Sequence, residues 1–169
     1  MSIDHFLSRV WRVLSIIGFG ITLLFIYRGL PDPTAVHFGE SGRGDGFLPK
    51  EEIFYLTAGV ITVLNVLMLM LINSVKKIPA SLFASGVLRA FAIKGETAVQ
   101  TIFIHWLHFF PAIVNTFVIL ALRVLLMLND SRSYANDYTY LGYLGIVLIL
   151  LWFLYLPIRL FSLPIHKEE

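Results

Sequence analysis

The 169-residue chain has no cysteine, and acidic and basic side chains together make up only 14% of it. The first lack excludes disulfides, thiolate nucleophiles and cysteine-held metals. The second sets the chain apart from ordinary soluble domains, in which about 25% of residues are charged. Net charge is only +2, so the pI near 9 gives no reason to expect a nucleic-acid partner. No internal repeat is evident, which argues against the inverted halves common in transporters. The sequence shows no nucleophile–base–acid set and no paired carboxylates within an apolar run. It is therefore read as a non-enzyme with no catalytic residue, no metal ligand and no required cofactor.

What is abundant is hydrophobic side chain, 57% of the total, gathered in long uncharged runs. A helix crosses a bilayer with about 20 predominantly apolar residues. Four windows approach or reach that length: Val10–Tyr27, Phe54–Asn73, Ile102–Leu128 and Leu141–Phe161. They predict an all-α integral membrane protein, one membrane domain over residues 1–169 with four transmembrane helices. The run before "FIYRGLP" has no small-residue cleavage site, so the first window is expected to remain as a helix. Arg12, Arg123 and Arg159 lie near window ends, where long side chains are expected to snorkel to water.

Lysine and arginine in short loops mark the cytoplasmic side. Arg9 and Arg12, then Lys76, Lys77, Arg89 and Lys94, then Arg159 and Lys167, fall on one side of a four-helix chain. The first connection mixes Arg28, Arg43 and Lys50 with Asp32, Glu40, Asp45, Glu51 and Glu52. This distribution places both termini in the cytoplasm of a multi-pass protein of the inner (plasma) membrane. Tyr138, Tyr140 and Tyr143 are expected as an aromatic girdle at the outer face, with Trp11 in that part at the inner one. The segment 78–101, broken by Pro79, Gly86 and Gly95, is expected at the cytoplasmic interface. There Leu82, Phe83, Val87, Arg89 and Phe91 would lie flat, because a fifth span would hold Arg89 or Lys94 in lipid.

The first connection is "LPDPTAVHFGESGRGDGFLPK", Leu30 to Lys50. Pro31 and Pro33 stop the preceding helix and force an extended exit. "TAVHF" suits a short extended piece, and "GESGRGDGF" reads as a glycine-rich turn region. The glycine spacing fits neither phosphate-cradling motif. An ordered outer loop between helices one and two is expected, with Pro31, His37, Gly42, Asp45, Gly46 and Lys50 in one unit. Histidine is the loop side chain that ordinarily changes charge between pH 5 and 8. Asp45 and Lys50 are its candidate companions. The plainer alternative is that His37 only ties the loop together.

These residues carry a resemblance. Leu30–Pro31, His37–Phe38, Gly42, Asp45–Gly46–Phe47 and Lys50 stand at the spacing of the domain of unknown function DUF1648, also found at the front of SdpI-like immunity and signal-transduction proteins. The similarity covers about residues 12–72, a helix–loop–helix unit. Ala35 stands where the family often has proline. The resemblance implies an integral membrane location and no established chemistry.

Polar residues within the windows include His105, His108, Asn65 and Asn115. His105 and His108, three apart, share a helix face. Asn65 and Asn115 sit near mid-window and are expected to bond across the bundle. Pro111 is expected to bend its helix or open its hydrogen bonds. Gly18 and Gly20 with Ala58 and Gly59, and Gly142 with Gly145, offer thin surfaces for helix packing. Arg123 is expected to emerge near Asp130 or Asp32.

The first functional reading is an accessory, sensing or immunity/signalling-like membrane protein whose outer loop contacts a peptide, a lipid or a larger membrane complex. Membrane lipid and a larger complex or homo-oligomer are the expected partners. The second is a haem- or quinone-associated subunit using His105 or His108, and the third a small transporter.

Overall fold

The computed structural model describes residues 3–40, 42–83, 89–91, 95–130 and 140–163. The expectations for Tyr138, Gly86, Val87, Lys94 and Lys167 fall outside them, as does the side chain of Phe83. The elements run α1 (Ile3–Gly29), β1 (Thr34–Phe38), β2 (Gly44–Leu48), α2 (Lys50–Lys77), α3 (Ala80–Phe83), α4 (Glu96–Leu128) and α5 (Tyr140–Phe161). Four of the helices are long and apolar enough to cross a membrane, and they correspond to the four windows. Each overruns its window at one end or both, and α1, α2 and α4 continue into charged residues. Lys76 and Lys77 suit the negative end of α2, as Glu51 and Glu52 suit its positive end. At 33 residues α4 is about 50 Å long, well over the roughly 30 Å hydrocarbon layer. It starts at Glu96, within the segment expected at the interface. Ahead of it, α3 is a single turn.

Asp4 in the first turn of α1 makes an ion pair with Arg159 in the last turn of α5. The two ends of the helical chain therefore meet at one end of the bundle, the termini end, and the hairpin of β1 and β2 sits at the other. Arg159, expected to reach water at its helix end, is 41% exposed there and pairs with Asp4.

α4 is the post against which the others lean. α1 presents Ser8, Arg12, Ser15, Phe19, Leu23 and Ile26 as its buried stripe, continued by Leu30 just beyond its end. That spacing of threes and fours is one helix face. It is polar toward the termini end and apolar toward the hairpin end. The apolar part joins Ile53 and Ile61 of α2 and Leu122 of α4 in one cluster. A second cluster, Ile72, Val75 and Leu107, joins α2 to α4 at the termini end. There the amide of Gln100 donates to the carbonyls of Val75 (3.1 Å) and Ile78 (2.7 Å), where α2 ends.

α5 lies at the edge and touches α4 through aromatic rings. Trp106 and Trp152 stack with centroids 4.4 Å apart, and each indole N–H donates to the other's backbone carbonyl at 2.9 Å. A Cβ on Gly145 would lie 2.7 Å from the Phe117 ring, so that close approach requires glycine. Gly18 faces Ile119 of α4, whereas Gly20, Gly59 and Gly142 have no neighbour within 4 Å. Gly18 and Gly145 thus lie against α4, while Ala58 packs against the cluster that α1 shares with α2 and α4. Trp11 was expected as an interfacial anchor. Its indole instead donates to Thr116 Oγ1 of α4 at 3.1 Å.

Candidate functional site

Two groups of polar residues stand out, one at the hairpin and one inside the bundle. In the hairpin, β1 pairs antiparallel with β2, with Thr34 opposite Leu48, Ala35 opposite Phe47, His37 opposite Gly46 and Phe38 opposite Gly44. It is the departure from an all-helical chain among the described residues. The sequence reads Gly39–Phe47 as a turn region; Gly44–Leu48 is strand because its glycines let the partner strand come close. A Cβ on Gly46 would lie 2.9 Å from that of His37. Between the strands Gly39 N–H donates to the Arg43 carbonyl at 3.0 Å, and Gly42 is at φ 74°.

His37 Nδ1–H donates to the Asp45 carboxylate, and both side chains are more than half exposed, at 75% and 53%. Phe47 is exposed beside them, while Phe38 is partly covered. Pro31 offers its carbonyl to the buried Thr34 hydroxyl at 2.6 Å, which folds the exit of α1 into the strand. Lys50 does not join the pair. Its ammonium lies over the Tyr27 ring, 5.4 Å from the centroid, a cation–π contact. Its backbone N–H points at Asp32.

What holds the hairpin to the bundle is a residue the sequence reading passed over. Asn129, at the end of α4, accepts from Ala35 N–H at 2.8 Å and donates to Ala35 C=O at 2.9 Å. Its amide thus completes the outer edge of β1 as one residue of a neighbouring strand would. It also donates to the Leu125 carbonyl at 2.9 Å, so it is fixed on its own helix. Proline at position 35, frequent in the family, has no N–H to give Asn129.

The second group lies in the termini half of the bundle. Asn65 of α2 and Asn115 of α4 exchange amide bonds, at 2.9 Å and 3.3 Å, and Asn115 also donates to Ser15 Oγ at 3.2 Å. About one turn nearer the termini end, Arg12 is buried, with 5% of its surface exposed. It does not snorkel. Its guanidinium donates to His108 Nδ1 and to the Asn65 carbonyl, each at 3.2 Å. His105 is buried on the same face as His108. Arg12 has no carboxylate partner among the described residues. Its place could have been read from the spacing Ser8–Arg12–Ser15–Phe19, which puts it on the stripe and not on the lipid side.

The contact fixes the chemistry of His108. A guanidinium only donates, so Nδ1 must accept. A neutral imidazole has one lone-pair nitrogen, hence Nε2 carries the proton and is a buried donor with no partner. Held this way, His108 has no lone pair left for a haem iron or another metal. Among the described residues no three His, Asp or Glu side chains cluster as metal ligands would. Arg123 and Asp130, both near the hairpin end, do not pair with each other.

Four spanning-length helices make this a multi-pass membrane protein. Residues 13–61, the apolar body of α1, the hairpin and the first part of α2, match the family model described as Domain of unknown function (DUF1648), and the chain carries that domain. Neither the curated proteins nor the solved structures contain a match to it.

Proposed function

We propose that this is a non-enzymatic protein of the inner (plasma) membrane, with both termini in the cytoplasm, which uses the hairpin to contact a peptide, a lipid or a larger membrane complex in an accessory, sensing or immunity-like role. The observation that carries this reading is the combination at the hairpin of rigid attachment and open chemistry. Asn129 clamps β1 from below, while the His37–Asp45 pair and Phe47 face outward. A strut serving only the fold has no need of an exposed aromatic beside an exposed hydrogen-bonded pair. The charge distribution supports the orientation: Arg9, Lys76, Lys77, Arg89 and Arg159 gather at the termini end, where the acids are fewer.

A photo-crosslinking side chain at Phe47 in intact cells should give one defined adduct that His37→Ala or Asp45→Ala removes. The absence of an adduct, or adducts indifferent to both substitutions, would overturn the reading. A cysteine at Glu40 should react with an impermeant reagent from outside, and one at Ser81 should not; the reverse pattern would invert the orientation.

A further inference from the structure

We propose that the seam of α1 and α4 at the hairpin end is a seat for one anionic phospholipid, separate from the hairpin surface and independent of its function. Ile21 and Phe25 of α1 form a ridge with an apolar groove on each side. One groove, about 310 Å³, runs past Leu24 to Arg28. The other, about 510 Å³, is walled by Ile119 and Leu126 of α4 and reaches Arg123. The pattern matches a phospholipid: two chains astride a ridge, and cations where a phosphate would sit.

The charges carry the choice of ligand. Arg28 and Arg123 have neither an ion pair nor a side-chain hydrogen bond among the described residues. Asp130, two turns beyond Arg123, does not pair with it. Both arginines lie close to the level at which the helices end. Gly29 lies against Leu126 there, 3.0 Å from where its Cβ would be. An arginine near a span end seeks water or phosphate, and the guanidinium fork matches phosphate oxygens. A zwitterionic headgroup offers the same phosphate with a cation attached, so the two arginines should favour a net negative lipid. Each basic side chain at an anionic lipid surface corresponds to about a fivefold preference.

The test uses the full chain in mild detergent with equal amounts of phosphatidylglycerol and phosphatidylcholine, the bound lipid being counted by native mass spectrometry. The wild type should retain phosphatidylglycerol at least about tenfold over phosphatidylcholine. Arg123→Gln should lower that ratio about fivefold, and Arg28→Gln/Arg123→Gln should bring it near unity. Arg43→Gln, in the hairpin turn, should leave it unchanged. Thermal unfolding in lipid-free detergent verifies that each variant is folded; should the double variant not fold, the single variants carry the test. A wild type that holds both lipids equally or neither, a ratio that survives the double substitution, or an equal loss on Arg43→Gln would overturn the proposal.

Discussion

Replacing His108 by leucine should harm the protein more than replacing Arg12 by methionine, and replacing both should harm it less than the first change alone. The buried guanidinium has two protein acceptors, His108 Nδ1 and the Asn65 carbonyl. His108→Leu leaves Arg12 in place, still buried and charged, with one acceptor gone. Hydrogen bonds to charged groups contribute about 1.5–3 kcal/mol, so the loss should lie in that range. Arg12→Met loses both of these bonds but also removes the charge, whose desolvation costs several kcal/mol. The methionine chain covers the same neighbours, and the orphaned imidazole is neutral. The net change should be within about 1 kcal/mol, toward the modest values measured for polar contacts in membranes. The double variant leaves neither an uncompensated cation nor an orphaned imidazole, so it should recover about 1–2 kcal/mol relative to His108→Leu. Reversible unfolding of the four proteins in mixed micelles gives the cycle. A double variant less stable than His108→Leu would mean that Arg12 stabilises the bundle independently of His108, and the account of the pair would fail.

Asn129→Ala should free the edge of β1, raising amide exchange at Ala35 by one to two orders of magnitude, as expected for losing about 1–3 kcal/mol of local hydrogen bonding; unchanged exchange would show that the hairpin stands without its clamp. Gly145→Ala should destabilise the α4–α5 contact by about 1–3 kcal/mol, since the added methyl meets the Phe117 ring, whereas Gly142→Ala, with open space around it, should be neutral in the same unfolding assay. Trp152→Phe keeps a ring over Trp106 but removes one of the reciprocal indole bonds, and should cost about 0.5–1.5 kcal/mol, read in the same micelles.

The spans were legible because length and hydropathy are local properties: a run such as Phe54–Asn73 has no reading but a buried or lipid-facing helix. The faces of those helices were harder. Arg12 was read as a snorkelling end residue because window reasoning counts positions from the edge, whereas its role depends on angle around the helix. Gly20, Gly59 and Gly142 were read as packing surfaces because small residues look alike in sequence; only those that meet a neighbour, Gly18 and Gly145, act as such. The hairpin's second strand was hidden by its glycines, which signal turns and also permit the close pairing seen at His37 and Gly46. Asn129 was not legible at all. Its partner is a main-chain amide 94 positions away, and a backbone leaves no trace in side-chain identity.

α4 as a central post changes what the matched segment can be. Residues 13–61 define a sequence pattern, yet α1 and α2 meet each other far less than α1 meets α4. The hairpin, too, is clamped by Asn129, from beyond the pattern. A fragment cut after Lys77 would expose the stripe from Ser8 to Leu30 and leave Arg12 without its histidine. In this chain the matched segment is therefore not a self-sufficient module but one half of a fitting, for which α4 is the other half.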